Sequence, residues 1–486
     1  MGRLRATALI GLFAAVALVA GLTVGSAVPP AAHRADEVHT QPIAKRQGET
    51  AKLLTEAQCV ATPSIRIPCY DPAQIQTAYG ELPLFAAGVK GEGQTIVIVD
   101  SFGSPTIRAD LATFDARFKL PAPPSFRVIQ PAGAVPAYNP RTTTMVGWAG
   151  ETTLDVEWAH AIAPGSSILL VETPVSETEG TVGFPQIVAA ENYVIAHHLG
   201  NVISQSFGAN EHTFSSLAAL QTLRSAYERA YAAGITVLAA TGDTGATDYA
   251  TATATNYSVV PAVTWPASDP LVTAVGGTQL SLDSSGQRTA PDRVWNDTYS
   301  PVVNRFVFGT SAVHPNASGG GLSSVFSRPS YQQDVAQVVG NARGIPDISM
   351  SAACSGLVDT YQSFAGPTSP GWYYVCGTSE ATPIFAGIVA LADQEAHHGL
   401  GLINPALYAM AQAHDPGIVD ITQGDNTVSF SQGGVEHTVV GSSAAPGYDL
   451  ASGVGTVDAA LFVPELVRTE AAVGTDVSYG FLPTRG

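Results

Sequence analysis

Ser379 is the side chain whose neighbours best suit it to act as a nucleophile. It lies in the run Gly377-Thr378-Ser379-Glu380-Ala381-Thr382-Pro383, in which Gly and Thr allow a sharp turn into a following helix. At a helix N-terminus, the unpaired backbone N–H groups and the helix dipole both favour the negative oxygen that forms during acyl transfer. We expect Pro383 in the first turn of this helix, where a proline costs no backbone hydrogen bond. A serine that merely caps the helix is the alternative interpretation.

Two carboxylates with helical spacing could supply a base for such a serine. Glu151 and Asp155 lie four residues apart, so on a helix they project from one face and can reach each other. Two facing carboxyls in a buried helix share a proton, so that one is ionised while the other stays neutral. A solvated acidic helix face is the alternative. Apolar neighbours favour burial: Leu154, Val156, Trp158, Ala159 and Ile162.

A third acid, Asp243, follows an apolar run that predicts a buried strand. The run is Thr236–Ala240, and glycines at 242 and 245 flank the acid. Open α/β sheets place their site residues at the carboxyl ends of strands, which is the position predicted for Asp243. An Asx-turn that only ends the strand is the alternative.

Asp420 and Asp449 begin and end a region with little helical or strand character. Each carboxylate lies near Gly-containing turns, in Asp420–Asn426 and Ala445–Asp449. Hard cations such as Ca²⁺ prefer carboxylates together with exposed backbone carbonyls, which such turns supply. Ordinary turn acids would give the same spacing.

The elements that must position these side chains alternate between β-rich apolar runs and helical patterns. This alternation predicts an α/β fold with a mostly parallel central sheet and helices on both faces. Residues 284–331 are rich in Ser, Pro, Gly and Asn, and we expect long loops and hairpins there. The predicted strands are Gln94–Val99, Ser167–Val171, Val202–Gln205, Thr236–Ala240 and Val272–Val275. The predicted helices are Glu151–Ile162, Pro185–His197, Ser215–Ala233 and Pro383–His397.

Composition excludes some functions. The chain has 486 residues, of which 45% are hydrophobic and 13% charged, as is typical of globular proteins. Its 22 Lys and Arg against 40 Asp and Glu give a formal net charge of -18. This charge argues against binding to nucleic acid or to an anionic membrane.

The N-terminal segment resembles an export signal. Arg3 and Arg5 precede an uncharged stretch from Ala6 to Val28, and Gly25-Ser26-Ala27 suits signal peptidase. We therefore predict a signal peptide over residues 1–27 and a secreted, extracellular protein that is not attached to a membrane after signal removal. An uncleaved membrane anchor is the alternative.

Four cysteines in an exported chain predict disulfide bonds rather than a metal site. Among three possible pairings, we favour the two local ones, Cys59–Cys69 and Cys354–Cys376. None of these pairs has the Cys-x-x-Cys spacing of a zinc site.

Taken together, the motifs resemble those of the sedolisin family, the serine-carboxyl peptidases that share the subtilisin fold. Glu-x-x-x-Asp at Glu151 and Asp155, Gly-Asp-x-Gly at Asp243, Gly-Thr-Ser-x-x-x-Pro at Ser379 and the calcium segments follow each other in the family's order. Residues 318–323 and 346–349 also resemble family segments. One motif alone would be weak, whereas the ordered set is specific.

The resemblance implies one subtilisin-like catalytic domain over residues 71–466. Residues 28–70 would then be a short pro-segment or linker, and residues 467–486 a C-terminal tail. Protein or peptide substrates are implied as partners, and we expect a monomer by default.

The family's roles transfer to four residues. Ser379 would be the nucleophile and Glu151 the general base that takes its proton. Asp155 would orient Glu151, as the third member of a triad does. Asp243 would be a protonated acid that donates a hydrogen bond to the oxyanion.

The resemblance also implies one structural Ca²⁺ ion. The carboxylates of Asp420 and Asp449 would bind it, together with three backbone carbonyls, those of Ile421, Ala445 and Gly447.

This set of residues predicts an acidic working range. Glu151 must be ionised to accept a proton, and an unperturbed Glu titrates near 4.3, whereas Asp243 must be neutral to donate. We therefore expect greatest activity at roughly pH 3–5.

Three alternatives are weighed against a secreted serine-carboxyl endopeptidase. Subtilisin itself shares the serine motif, and Asp100 mimics its acid, but none of the 11 histidines stands in a His-Gly-Thr context between Asp100 and Ser379. His160 lies five residues beyond Asp155, where it points away from the acidic face and is best explained as a core or surface histidine. A catalytically silent binding protein would be expected to have lost a catalytic side chain. A tripeptidyl-peptidase remains open, as does the side-chain specificity.

Overall fold

The computed structural model describes residues 45–46, 53–251, 256–366 and 370–483. The predicted signal peptide, and residues 28–44 and 47–52 of the predicted pro-segment or linker, lie outside these ranges. Within them, no helix has both the length and the apolar character needed to cross a membrane.

Helices and strands alternate through the described chain. The helices are α1 (Glu56–Ala61), α2 (Pro72–Ala78), α3 (Leu82–Ala86), α4 (Ile107–Phe118), α5 (Thr143–Ile162), α6 (Phe184–Ala196), α7 (Leu217–Leu223), α8 (Ser225–Ala233), α9 (Pro301–Phe308), α10 (Ala336–Val339), α11 (Thr378–Ala396), α12 (Asn404–Gln412) and α13 (Ala459–Val473). The strands are β1 (Lys45–Arg46), β2 (Cys69–Tyr70), β3 (Thr95–Ser101), β4 (Phe126–Ile129), β5 (Ser167–Thr173), β6 (Val202–Gln205), β7 (Ala209–Asn210), β8 (Thr236–Ala240), β9 (Thr264–Trp265), β10 (Thr273–Gln279), β11 (Arg293–Val294), β12 (Gly321–Ser327), β13 (Ala342–Ile345), β14 (Ile348–Ser351), β15 (Leu357–Gln362), β16 (Gly371–Val375), β17 (Ile418–Val419), β18 (Val428–Gln432), β19 (Val435–Val439) and β20 (Thr456–Val457).

An eight-stranded sheet forms the centre of the molecule. Its order is β11-β10-β8-β6-β3-β5-β4, with β14 paired to β10. Every pairing is parallel except that of the edge strand β11, which runs antiparallel to β10. The α/β class with a mostly parallel sheet is therefore confirmed.

The central strands are buried along their whole length. Successive side chains of a strand point to opposite faces, yet consecutive residues of β3, β5 and β8 are all buried apart from the first residues of β3 and β5. Both faces of the sheet must therefore be covered, as expected for parallel sheets. The five predicted strands are all present, and β6 and β8 have the predicted bounds.

Helices α5 and α11 pack closely against each other and against the sheet. Gly387 of α11 permits this approach, because a Cβ atom there would lie 2.6 Å from Cβ of Ile162 in α5. The contact fixes the position of α11 relative to α5.

Three helix predictions differ markedly from the structure in extent, and one of them, α11, begins at Thr378, five residues before the predicted start at Pro383. Helix α5 begins at Thr143, eight residues before Glu151. The predicted helix over 215–233 is two helices, α7 and α8, which meet at Arg224. The buried Arg224 guanidinium bonds Asp269 at this junction, from Nε at 2.5 Å and from Nη2 at 2.9 Å.

The stretch 284–331 is more ordered than predicted. It contains helix α9, which Ser300 caps by accepting a hydrogen bond from the Val303 N–H, and strand β12. Ser and Pro at its start signal this helix, since they suit the N-cap and first position.

Both favoured disulfides are present, at Cys59–Cys69 and Cys354–Cys376. The first belongs to residues 53–70, which pack on the domain through pairing of β2 with β15. At the other end, α13 runs across the boundary predicted at residue 466.

Candidate active site

The predicted site residues meet at one edge of the sheet. Strands β3, β6 and β8 are parallel, so their carboxyl ends lie together. Asp100 lies near the end of β3, Ser206 follows β6, and Asp243 lies three residues after β8. Helices α5 and α11 bring Glu151, Asp155 and Ser379 to these loops.

Ser379 is the second residue of α11, at the helix N-terminus as predicted. The preceding Gly377 has φ 126°, a left-handed backbone conformation that favours glycine. The prediction for Pro383 is wrong, because it is the sixth residue of the helix and not in the first turn. Its missing N–H frees the carbonyl of Ser379, which lies 3.4 Å from the Ser206 hydroxyl.

Glu151 is 1% exposed and lies beside Ser379. Burial, together with the nearby carboxyls of Asp155 and Asp100, raises its pKa well above the ordinary value. The nearby Ser379 side chain acts in the opposite direction and lowers this pKa. Glu151 is thus an acceptor for the Ser379 proton whenever it is the ionised member of the group.

Asp155 is fully buried one turn further along α5. Its Oδ1 accepts a hydrogen bond of 2.8 Å from the Ser206 hydroxyl, which lowers its pKa. Burial and the Asp100 carboxyl dominate, and they raise the pKa well above the usual range. The pKa values of both carboxyls are therefore raised, and the charge of Asp155 affects the protonation of Glu151.

Asp100 is a third carboxyl in this group. It is fully buried, and burial raises its pKa to about 7, aided by the Glu172 carboxyl and opposed by a hydrogen bond with Thr152. Three adjacent carboxyls without a described basic partner cannot all ionise at acidic pH.

Asp243 is held by the first residue of α11. Its Oδ1 accepts hydrogen bonds from the Thr378 N–H at 2.7 Å and the Thr378 hydroxyl at 2.8 Å. Burial raises its pKa to about 6 although both bonds oppose the rise. Its Oδ2 faces Gly377, where a Cβ atom would lie 2.6 Å away. A neutral Asp243 can carry its proton on Oδ2, next to the nucleophile's helix.

The family-like segments at 318–323 and 346–349 support the site from behind. The Gly319 and Ala317 N–H groups donate to the carbonyls of Gly242 and Asp243 at 2.8 and 3.0 Å, which fixes the loop that carries the acid. Asp347 forms a fully buried ion pair with Arg343 and accepts a hydrogen bond from the Ala274 N–H. The Asp347 carboxylate is therefore bound by partners in the core.

The five predicted calcium ligands lie in two neighbouring segments. Asp420 Oδ2 accepts a hydrogen bond of 2.9 Å from the Gly447 N–H, and Asp449 Oδ2 accepts one of 3.1 Å from the Ala445 N–H. Ile421 is buried in a small apolar cluster with Ala451. Among the described residues, no three His, Cys, Asp or Glu side chains are placed to hold a metal ion. A cation here would therefore depend on backbone carbonyls, as the predicted ligand set does.

His160 is buried on α5, away from the acids. Its Nε2 lies 2.8 Å from the Pro121 carbonyl and 3.3 Å from Asp115 Oδ1. This agrees with its interpretation as a core histidine.

Two residues of the site were not anticipated. Ser206 binds Asp155, and Thr378 binds Asp243. Ser206 directly follows a predicted buried strand, a position that could have indicated a role. Nothing local pairs Thr378 with Asp243, 135 residues earlier in the chain.

Comparisons with known proteins agree with this arrangement. Residues 139–437, more than half of the chain, match the Subtilase family. Kumamolisin from Bacillus sp. (strain MN-32) is 29% identical over 395 residues, which cover 80% of this chain and 62% of that protein. Tripeptidyl-peptidase 1 from Homo sapiens is 29% identical over 337 residues, covering 66% and 52%. The chain thus spans less than two thirds of each of these relatives.

A solved structure extends the likeness to three dimensions. Pseudomonas sedolisin, described as a serine-carboxyl proteinase complexed with two molecules of pseudo-iodotyrostatin, has a TM-score of 0.66 and 25% identity. The match covers 84% of this chain and 99% of that one. The chain belongs to the subtilase family, as a sedolisin with the subtilisin-like fold.

Proposed function

We propose that this protein is a secreted serine-carboxyl endopeptidase that works in acid. The observation that best supports this proposal is the position of the Ser379 side chain beside the buried Glu151 carboxyl, with Asp243 beside the same helix N-terminus. The relatives named as peptidases, and the serine-carboxyl proteinase with the same fold, support it further.

In the first half-reaction, Glu151 takes the hydroxyl proton of Ser379 while Oγ attacks the carbonyl carbon of the substrate. The negative oxygen that forms accepts a hydrogen bond from protonated Asp243 and lies near the N-terminus of α11. Protonated Glu151 then passes its proton to the leaving amine, and an acyl-enzyme remains. In the second half, Glu151 takes a proton from water as the water oxygen attacks the acyl carbon, and returns this proton to Ser379 Oγ as the acyl–Oγ bond breaks, so that the carboxylic acid product and the free serine are formed.

Asp155 keeps Glu151 in place and adjusts its charge. Since its Oδ1 is bound by Ser206, the remaining carboxyl oxygen is free to share a proton with the group around Glu151. A neutral Asp155 would let Glu151 be the ionised member, which a base must be.

The charge states set the working pH. Asp243, with a pKa of about 6, is neutral in acid and loses its donor proton above that pH. Glu151 gains its charge as pH rises. The raised pKa of Glu151 moves its ionisation toward the upper part of the range in which Asp243 is still neutral. We therefore propose activity in acid, at the roughly pH 3–5 expected from ordinary carboxyl values and falling above pH 6.

One Ca²⁺ ion would be bound by Asp420 and Asp449 with the carbonyls of Ile421, Ala445 and Gly447. Their placement in two adjacent segments, joined by the hydrogen bond that the Gly447 N–H donates to Asp420, supports this set. When bound, the ion would brace these segments against each other and would take no part in the chemistry.

The test is cleavage of a denatured protein from pH 2 to pH 9 by the purified chain and its Ser379→Ala variant. Activity confined to acid, abolished by Ser379→Ala and reduced by Glu151→Gln, is the expected result. An optimum near pH 8, or equal activity of the serine variant, would contradict the proposal. Internal fragments indicate an endopeptidase, whereas release of tripeptides from the N-terminus would indicate the activity named in tripeptidyl-peptidase 1.

A further inference from the structure

We propose that a cavity beside the candidate base binds a basic side chain of the substrate, with Glu172 as its recognition residue. The proposal rests on the proposed peptidase function, because it treats the ligand as a substrate residue near the cleaved bond. Glu172 lies near the end of β5, opposite Asp100 of β3 in the strand register.

The cavity has a volume of about 170 Å³, and Phe102, Ser104 and Glu172 in its lining place it at the carboxyl ends of β3 and β5. A single water needs only about 10–15 Å³ measured in the same way, so the space suits a side chain. The residues that line it and matter for recognition are Phe102, Ser104, Gln130, Tyr138, Met145 and Glu172.

Two contacts connect the cavity with the part of α5 that directly precedes Glu151. The Tyr138 ring packs on Phe364, with centroids 6.4 Å apart, and Phe364 Cζ lies 3.8 Å from where a Cβ atom of Gly150 would be. Gly150 immediately precedes Glu151. On α5, Met145 lies six residues before Glu151, which is about 9 Å along the helix. An extended substrate advances about 3.3 Å per residue, so the cavity would accept a side chain two or three residues from the cleaved bond.

The walls combine an apolar passage with a polar end. Phe102 and Met145 supply apolar surface, and Glu172 is the single ionisable carboxylate that lines the cavity. Its side chain packs directly against Gly103, whose lack of a Cβ atom makes room for the carboxyl. Within the described residues, the buried Ser104 hydroxyl and the Tyr138 hydroxyl have no hydrogen-bond partner.

These features select arginine or lysine. Both have an apolar stem and several donors at the tip, and the cavity offers acceptor oxygens at its end. Gln130 Nε2 donates to Glu172 Oε2 at 2.8 Å and leaves Oε1 for a ligand. Burial raises the pKa of Glu172, while a bound cation would favour its ionised form.

The test compares peptides that carry arginine or its neutral analogue citrulline at each of three positions on either side of the cleaved bond. At one position, two or three residues from that bond, kcat/KM should favour arginine. Glu172→Gln should lower the arginine-to-citrulline ratio about ten- to a hundredfold, the usual loss for a hydrogen bond to a charged group. Glu92→Gln is the matched control, because Glu92 lines a separate surface cavity and its variant should leave the ratio unchanged.

Gln130→Glu is a second variant that does not depend on folding of the first. Gln130 is exposed at the cavity, and a second carboxylate there should raise the preference for arginine. An equal kcat/KM for both peptides at all six positions, or a ratio unaffected by Glu172→Gln in a folded enzyme, would overturn the proposal.

Binding separates this proposal from the peptidase function. In the Ser379→Ala background, anisotropy of a labelled arginine peptide should show tighter binding than the citrulline peptide, and Glu172→Gln should remove the difference. If this holds while the wild-type chain cleaves nothing, the cavity assignment stands and the peptidase proposal fails. If cleavage occurs without any Glu172-dependent preference in cleavage or binding, the cavity assignment alone fails.

Discussion

Asp243 allows the most direct test of the proposed oxyanion chemistry. Replacing it with Asn keeps the shape and an N–H donor near the position of Oδ2, while the amide oxygen can still accept from Thr378. Replacing it with Ala removes the donor. The Ala variant therefore tests the effect of the hydrogen-bond donor, and the Asn variant tests the effect of its titration.

The expected effect of pH on kcat follows from the pKa of Asp243. Burial raises the Asp243 pKa from 3.8 to about 6, which corresponds to about 3 kcal/mol in favour of the neutral form. At pH 4 about 99% of the molecules then carry the proton, against about 40% for an unperturbed Asp, and at pH 7 about 9% do. Above pH 6, loss of this proton alone should lower kcat about tenfold per pH unit.

The assay is the pH profile of kcat for a fluorogenic peptide. Asp243→Ala should lose about 10²- to 10³-fold in kcat at pH 4, the usual cost of removing one oxyanion donor. Asp243→Asn should lose less and should show no decline near pH 6, because an amide does not titrate. An Asn variant that keeps a decline near pH 6, or an Ala variant within tenfold of wild type, would refute the reasoning.

Three further predictions concern stability and geometry. Burial raises the Glu191 pKa from 4.5 to about 8. The protonated Glu191 therefore contributes fully to the free energy of unfolding below pH 4.5, and this contribution, at most about 5 kcal/mol, is lost as pH rises through 8. Glu191→Gln should therefore match wild type in thermal unfolding at pH 4 and exceed it at pH 8; equal differences at both pH values would contradict this. Reducing the Cys354–Cys376 disulfide, whose cysteines are 22 residues apart, should lower the free energy of unfolding by about 3 kcal/mol. It should also lower activity, because Cys376 lies three residues before Ser379. Unchanged activity after verified thiol release would show that the disulfide does not affect the active site. In the Gly387→Ala variant, the added methyl group should overpack the contact between α11 and α5 and lower the free energy of unfolding by about 1–3 kcal/mol. Because this contact positions Ser379, kcat should fall more than KM rises. An unchanged kcat would show that the contact does not position Ser379.

Much of the fold could be predicted from local patterns. Strands β6 and β8 have the bounds predicted from their apolar runs, because a strand buried on both faces requires consecutive apolar residues. The predicted bounds of the helices agree less well with the structure than those of the strands. Helix α5 extends to Thr143 through residues whose pattern is weakly helical, and packing of its neighbours stabilises it there.

The error at Pro383 has a definite cause. A proline near a helix start normally occupies the first turn, so sequence favours a helix that begins beside it. The structure begins α11 at Thr378 instead, because the backbone bonds of Thr378 with Asp243 and the turn at Gly377 set the start. Those contacts join segments far apart in the chain, and no local pattern contains them.

The amino-acid sequence by itself determined the chemical groups and their short-range spacing. Glu151 and Asp155 share a helix face because of the four-residue interval, and Ser379 reaches a helix N-terminus because of its own motif. Tertiary structure alone decided which distant groups meet them. The order of the parallel strands brings Asp100, Ser206 and Asp243 to one edge, and burial at that edge raises the pKa values of the two aspartates. Strand order and burial depend on how the whole chain packs, so they cannot be inferred from the neighbours of any one residue.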